Sequence, residues 1–134
     1  MIEILIWDIS FFKMTYFFDS YAIIEIGNGV NLSYQKFQEF EVITSFLNIG
    51  EIYQVILRKD GKNTADKWFR ATNFKLLEIS PEILIDAICY RHINKKKDLS
   101  LTDCVGYNLS LKNNLKFLTG DKKFEKIPNV EFVK

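Results

Sequence analysis

Four acidic residues have the type and the setting for metal-assisted chemistry: Asp19, Glu51, Asp103 and Asp121. Asp19 directly follows "TYFF" (15–18), a short apolar run that reads as a buried strand. Asp121 follows the similar run "KFLT" after one glycine, inside "LKFLTGDKKF". Asp103 ends "SLTD", and Glu51 lies in "NIGE", just after the strand-like "EVIT". Each acid alone has a structural reading. Asp19 suits a helix N-cap. Ser100 and Asp103 suit a capping box. Asp121 suits a turn, and Glu51 suits a solvent-facing helix position. Their joint placement carries more. Four carboxylates gathered at one edge of a sheet repel one another unless a cation neutralises them or some stay protonated. Hard oxygen donors select Mg²⁺ or Mn²⁺. Such an ion, held by carboxylates with open positions, suits hydrolysis of a phosphodiester.

The elements around these residues alternate strand with helix. Strands are expected at 15–18, 41–44, 75–79, "KFLT" and 130–133. "SYAIIEIG" predicts a short helix ended by Gly27, although "IIEIGNGVNL" also fits a hairpin turning at Asn28-Gly29. Residues 33–40 suit a short amphipathic helix. Apolar residues at 46, 49, 52, 53, 56 and 57 have helical spacing, with Ser45 as N-cap and Gly61 as stop. A further helix is expected over 63–73. Another begins at Ser80-Pro81 and runs to the lysine stretch, and the last spans Ser100 to Leu111. Few links are short enough for hairpins. The pattern therefore predicts an α/β sandwich around a mostly parallel sheet. In such sheets ligands gather beyond the carboxyl ends of the strands, where Asp19 and Asp121 fall.

The 134 residues suit one domain, with 48% apolar and 26% charged side chains. Net charge is +1, which by itself names no polyanionic partner. The distribution says more. Residues 1–89 hold 8 basic and 12 acidic side chains, a balance of −4; residues 90–134 hold 10 and 5, a balance of +5. Lys112, Lys116, Lys122 and Lys123 flank the proposed acidic edge and are candidates for contact with a negatively charged ligand, with plain solvation the competing reading. Lys95, Lys96 and Lys97 read as a solvated face, and His92 as a surface residue. Cys89 and Cys104 match no zinc spacing and read as reduced packing residues. The opening "MIEILIWDISFF" contains Glu3 and Asp8 and lacks a basic leader, which makes it a poor signal peptide. No apolar run reaches the roughly 18 residues of a spanning helix. The expectation is a cytoplasmic protein with no membrane association.

The segments "YFFDS", "TSFLNIGEIY", "LSLTDCVGYNLSLKNNLKFLTGDKKF" and "IPNVEFV" resemble PIN-domain ribonucleases, especially the VapC-type toxins of toxin–antitoxin pairs. The resemblance covers roughly residues 14–134 and is strongest from Leu99 onward. It implies a three-layer α/β/α PIN-like domain over 14–134, preceded by an extension at 1–13. It also implies an acidic quartet that binds Mg²⁺ or Mn²⁺ and cuts RNA to a 5′-phosphate and a 3′-hydroxyl. Carried over, the quartet is Asp19, Glu51, Asp103 and Asp121, with Thr119 and Ser20 as supporting hydroxyls, and the ligand of Lys112, Lys116, Lys122 and Lys123 would be the phosphates of RNA. A small antitoxin and a homodimer are the implied protein partners. Asn108 stands where such proteins often carry Ala.

Three competing readings stay on the table. A housekeeping PIN nuclease would share the site but need no antitoxin. A receiver-like domain would want an acidic pair after the first strand, whereas Ser20 and Tyr21 follow Asp19. A non-catalytic interaction module would not need all four acids. Tyr53, Trp68 and Phe69, on the helices at 46–59 and 63–73, predict an apolar groove for an antitoxin helix, against a reading as core rings. The apolar "IEILIW" segment is expected to dock on the domain and to be dispensable for cleavage.

Overall fold

The computed structural model describes residues 15–134. The expectations for residues 1–13, and for a domain start at Met14, lie outside the described residues. In chain order the elements are β1 (Tyr16–Phe18), α1 (Ser20–Asn28), a 3₁₀ stretch (Leu32–Glu39), β2 (Ile43–Thr44), α2 (Phe46–Asp60) and α3 (Lys62–Ala71). Then follow β3 (Lys75–Leu76), α4 (Pro81–Ile93), α5 (Leu101–Lys112), β4 (Lys116–Thr119) and β5 (Val130–Phe132). The five strands form one sheet in the order β3-β2-β1-β4-β5, and every pairing is parallel. The chain winds outward from β1 through β2 to β3, then returns to the other side of β1. The direction of winding therefore switches between β1 and β4.

Local sequence explains most helix starts. The Ser80 side chain accepts from the Ile83 amide at 3.2 Å, with Pro81 in the first turn, where its missing N–H is no loss. Ser100 and Asp103 form the expected capping box. α1 runs past Gly27 to Asn28 and ends on Gly29 at φ 66°. A type I′ hairpin and a helix end both ask for positive φ at this glycine. Burial of Ala22 and Ile23 against the sheet decides for the helix. The 33–40 segment is 3₁₀ rather than α because its buried residues, Tyr34 and Phe37, are three apart, the spacing that a 3₁₀ turn stacks. The expected strands at 41–44 and 75–79 shorten to two residues each. β3 is an edge strand, and its ladder is no longer than the two residues of β2 that it pairs with.

Successive side chains on the central strands point to opposite faces. Phe17 and Phe18 are both fully buried, one in each layer. Phe17 and Phe117 face α4 and α5, in a core with Ile83, Val105 and Phe124. Phe18 and Leu118 face α1, the 3₁₀ stretch and α2, in a core with Ala22, Tyr34 and Ile52. Helices thus cover both faces, giving three layers. Phe17 and Phe117 are register partners, with ring centroids 5.9 Å apart and 14° between planes. A Cβ on Gly106 would come within 2.9 Å of the Phe17 ring. Glycine there lets α5 approach the sheet closely, which carries Asp103 toward the strand ends. Phe117→Ala removes the ring at the centre of this packing. It should destabilise the domain by about 3–5 kcal/mol, read as a lower midpoint in urea unfolding.

Candidate active site

The acids meet where the winding switches. The Asp19 amide donates to Leu118 O at 3.0 Å, continuing the β1–β4 ladder one step beyond the strand. The Thr119 hydroxyl donates to Asp19 Oδ2 at 2.7 Å, and Asp19 Oδ1 accepts from the Ser20 amide at 2.9 Å. Thr119 Oγ1 in turn accepts from the Asp121 amide at 3.1 Å. One hydroxyl thus ties together the acid after β1 and the acid after β4. Gly120 between them is not a positive-φ residue. A Cβ there would collide with the Tyr34 hydroxyl and come within 2.8 Å of Val133 O. Glycine is needed for space.

Ser20 Oγ donates to Glu51 Oε1 at 2.6 Å and accepts from Asn48 Nδ2 at 2.9 Å. Asn48 Oδ1 accepts from Ser45 Oγ at 2.6 Å. Ser45 and Asn48 are fully buried. The chain Ser45–Asn48–Ser20–Glu51 therefore fixes the α2 carboxylate from below. Asp103 is held by its capping box, Oδ2 accepting from the Ser100 amide at 2.9 Å. Asp121 Oδ1 accepts from the Lys123 amide at 3.0 Å. The capping and turn readings of Asp19, Asp103 and Asp121 are thus fulfilled in the same geometry that brings these acids to one place. Asp19, Glu51, Asp103 and Asp121 all line one open cleft of about 310 Å³.

Sequence reasoning missed Asn48 and Arg58. Asn48 is a polar residue on the buried side of α2, one turn before Glu51. Arg58 lines the same cleft as the acids and stands seven residues after Glu51 on α2, so two turns place it on the same helix face. That spacing was the available signal. The candidate lysines divide. Lys122 and Lys123 follow β4 at the acidic edge. Lys112 ends α5 and Lys116 begins β4, which places both at the opposite, amino edge of the sheet. The expectation that these two flank the acids is corrected by the direction of β4.

Burial and the neighbouring carboxylates raise the proton affinity of Asp19, Glu51 and Asp103. Asp19 is 3% exposed, and its pKa is pushed up to about 7, first by burial and then by Asp103, with the Thr119 and Ser20 bonds opposing and Glu51 adding. Burial raises Glu51 and Asp103 as well, with hydrogen bonds from Ser20 and Ser100 opposing. The donors are carboxylate oxygens throughout, which fits a hard divalent cation. Among the described residues no three His, Cys, Asp or Glu side chains are drawn tightly enough together to chelate one ion. That spread is compatible with Mg²⁺, which keeps several waters and takes only one or two carboxylates directly.

Comparison with known proteins agrees with this fold. A family model described as the PIN domain matches residues 16–130, and the chain belongs to that family. No curated protein sequence matches. Among solved structures, the chain is similar to VapC20 of Mycobacterium tuberculosis, described as a sarcin–ricin loop cleaving toxin. The TM-score is 0.70 at 16% identity, covering 89% of this chain and 97% of that one. It is also similar to VapBC2 of Rickettsia felis bound to a promoter DNA fragment, with TM-score 0.68, 15% identity and coverage of 90% and 98%. A toxin–antitoxin complex from Klebsiella pneumoniae gives TM-score 0.65, 18% identity and coverage of 87% and 95%. At these identities the likeness is one of fold. Among the described residues no helix is long and apolar enough to cross a membrane.

The raised pKa of Asp19 has a direct consequence for stability. Its folded value lies above its unfolded one, so its contribution is fully present below about pH 4 and is lost as pH rises through about 7. Asp19→Asn should therefore be more stable than the wild type at pH 8 without divalent metal. The advantage should shrink toward pH 4. Thermal melts in chelator across that range read the difference directly.

Proposed function

We propose that this chain is a Mg²⁺- or Mn²⁺-dependent endoribonuclease, the toxin of a VapBC-type pair. The observation that carries the reading is the meeting of Asp19, Glu51, Asp103 and Asp121 in one cleft at the switch point between β1 and β4. A carboxylate cluster gathered around the buried Asp19 is poorly stabilised alone and gains from a cation. Of Asp19, Asp103, Asp121 and Glu51, one or two would hold that ion directly and the others through its waters, and the ion would supply water activation and charge stabilisation at the phosphate. The chain's own groups do the rest. Thr119 and Ser20 fix the orientation of the Asp19 and Glu51 carboxylates before substrate arrives. Glu51, half-buried at the cleft wall, is placed to take a proton from the attacking water. Arg58 faces the same space and is placed to pair with a non-bridging phosphate oxygen. In-line hydrolysis would leave a 5′-phosphate and a 3′-hydroxyl.

The test uses purified protein and RNA. Mn²⁺ should raise the melting temperature of the wild type and leave Asp121→Asn nearly unmoved. Asp121→Asn and Glu51→Gln should each cut RNA at least about a hundredfold more slowly while keeping the wild-type circular dichroism spectrum. Cleavage that persists in both variants, or in excess chelator, would overturn the site.

The antitoxin half of the proposal rests on a second cavity. A groove of about 290 Å³ runs between α1, α2 and α3, with Ile23, Ile52, Ile56 and Trp68 in its lining. Ile24 and Val55 border both the groove and the acidic cleft, so the two are adjacent. Of the three rings singled out in the sequence, only Trp68 lines it. The Tyr53 hydroxyl donates to Asp66 at 2.6 Å, and Phe69 is exposed outside the groove. An amphipathic helix fits such a surface, and its basic end would meet the carboxylates. The exposed Ile85 and Ile93 lie on α4 and suit a second copy of the chain in a homodimer. Expression of the chain alone should arrest growth, and co-expression of a small antitoxin gene from the same operon should restore it. Ile56→Asp should leave arrest intact and abolish the rescue. Unhindered growth with fully active enzyme would favour a housekeeping nuclease.

A further inference from the structure

A separate cavity of about 320 Å³ lies on the α4 side of the molecule, lined by Ile88, Arg91, His92, Lys95, Asp98 and Leu99. Nothing in the catalytic reading uses it. Its surroundings are strongly cationic. Residues 91–98, "RHINKKKD", hold one arginine and three lysines against one aspartate. Among the described residues the ion pairs are Lys62–Asp66 and Lys123–Asp98, so Arg91 and Lys95 have no carboxylate partner. Arg91 is also oriented. Its Nε donates to Leu99 O at 2.8 Å, which fixes the guanidinium plane and leaves the terminal nitrogens available for a fork-shaped contact with a phosphate.

The cavity is tied to the acidic cleft at two points. Leu99 forms part of its wall. Ser100 then caps α5, and Asp103 faces the cleft about one helical turn further on, roughly 5–6 Å of rise. Lys123 makes the second tie. Its Nζ donates to Asp98 O at 2.9 Å and lies 3.9 Å from Asp98 Oδ2, while its amide donates to Asp121. The loop at Asp98, in the left-handed region at φ 54°, is thus held against the acidic edge. Asp98 thus stands between two groups of cations, Lys122 and Lys123 on the side of Asp121 and Arg91 and Lys95 in the cavity.

We propose that this cavity is a phosphate-binding subsite for single-stranded RNA, holding the strand next to the scissile bond. Arg91 and Lys95 take a backbone phosphate, and the exposed Ile88 offers an apolar wall to the adjoining ribose or base. The choice of RNA rests on the nuclease reading of the cleft. The phosphate chemistry of the cavity does not. The arrangement lets the enzyme hold a strongly anionic chain although the reacting centre is itself acidic.

The test is binding of a fluorescein-labelled, mixed-sequence single-stranded RNA to the full chain in chelator, so that nothing is cut. Anisotropy is read between about 50 and 200 mM salt. Arg91→Ala with Lys95→Glu should weaken binding on the order of tenfold. The salt dependence should become shallower by about 0.7 in log–log slope for each phosphate that is no longer neutralised. Lys36→Ala and Lys67→Ala, on elements packed on the other face of the sheet, should change neither. Lys95→Glu alone, at an exposed position, decides the matter should Arg91→Ala lower the melting temperature. Unchanged affinity and slope, or an equal weakening in the control variants, would overturn the subsite. Specific RNA binding that disappears in the Arg91 and Lys95 variants, by a chain that cuts nothing with Mn²⁺, would sustain the subsite and sink the nuclease reading. Normal cleavage by variants that bind like the wild type would do the reverse.

Discussion

The hydrogen bond from Thr119 to Asp19 joins residues a hundred positions apart and fixes the relation between the two strands that carry the chemistry. It lies beyond the last register pair of β1 and β4, at the point where the chain reverses its direction of winding. At a switch point the two following connections leave toward opposite sides of the sheet and open a crevice. α1 departs from β1 on one face, while the segment after β4 turns the other way. Asp19 is buried at the bottom of that crevice. Burying a carboxylate is costly unless its oxygens are engaged. Thr119 and the Ser20 amide engage both, and the rest of the site is assembled around them.

The second constraint is charge. The hydrogen bonds compensate only partly for desolvation and for the neighbouring acids, and Asp19 holds its proton to about pH 7. A cluster that suited the metal-free protein best would have been neutralised by an internal lysine or arginine. Here Arg58 is the cationic side chain in the cleft lining, and it makes no ion pair among the described residues. The cleft is thus electrostatically incomplete, which is the expected condition of a site that binds a cation and then an anion. Stability is given up where function needs an unmet field.

The same logic governs the surfaces. The groove beside Trp68 shares the wall residues Ile24 and Val55 with the cleft, so the end of a helix lying in it would come near the acids. The cationic cavity at Arg91 lies in the opposite helix layer. A protein partner and a nucleic acid would therefore approach the carboxylates along different faces. Competition between them would arise at the carboxylates and not along their whole lengths.

Several features were legible in the sequence because they are short-range. Caps at Ser45, Ser80 and Ser100 and the apolar period of α2 depend on neighbours within a few residues, and the structure contains each. The order of acids relative to strand ends was legible for the same reason, and so the quartet could be named. The run "KFLT" already put Lys116 at the start of a strand and Thr119 at its end, so the place of Lys112 and Lys116 at the amino edge was legible too. Other features depend on which elements lie side by side. The all-parallel order β3-β2-β1-β4-β5 was not legible. It set the length of β3 through its partner β2. It turned Asn48 from an ordinary helix residue into the support for Ser20, a contact across 28 positions. Gly120 looked like a turn and proved to be a space requirement, set by Tyr34 and Val133. Local sequence determines how a segment folds and where its polar ends lie. Only packing decides what those ends face, because contacts between distant segments exist only once both have been folded against the same sheet.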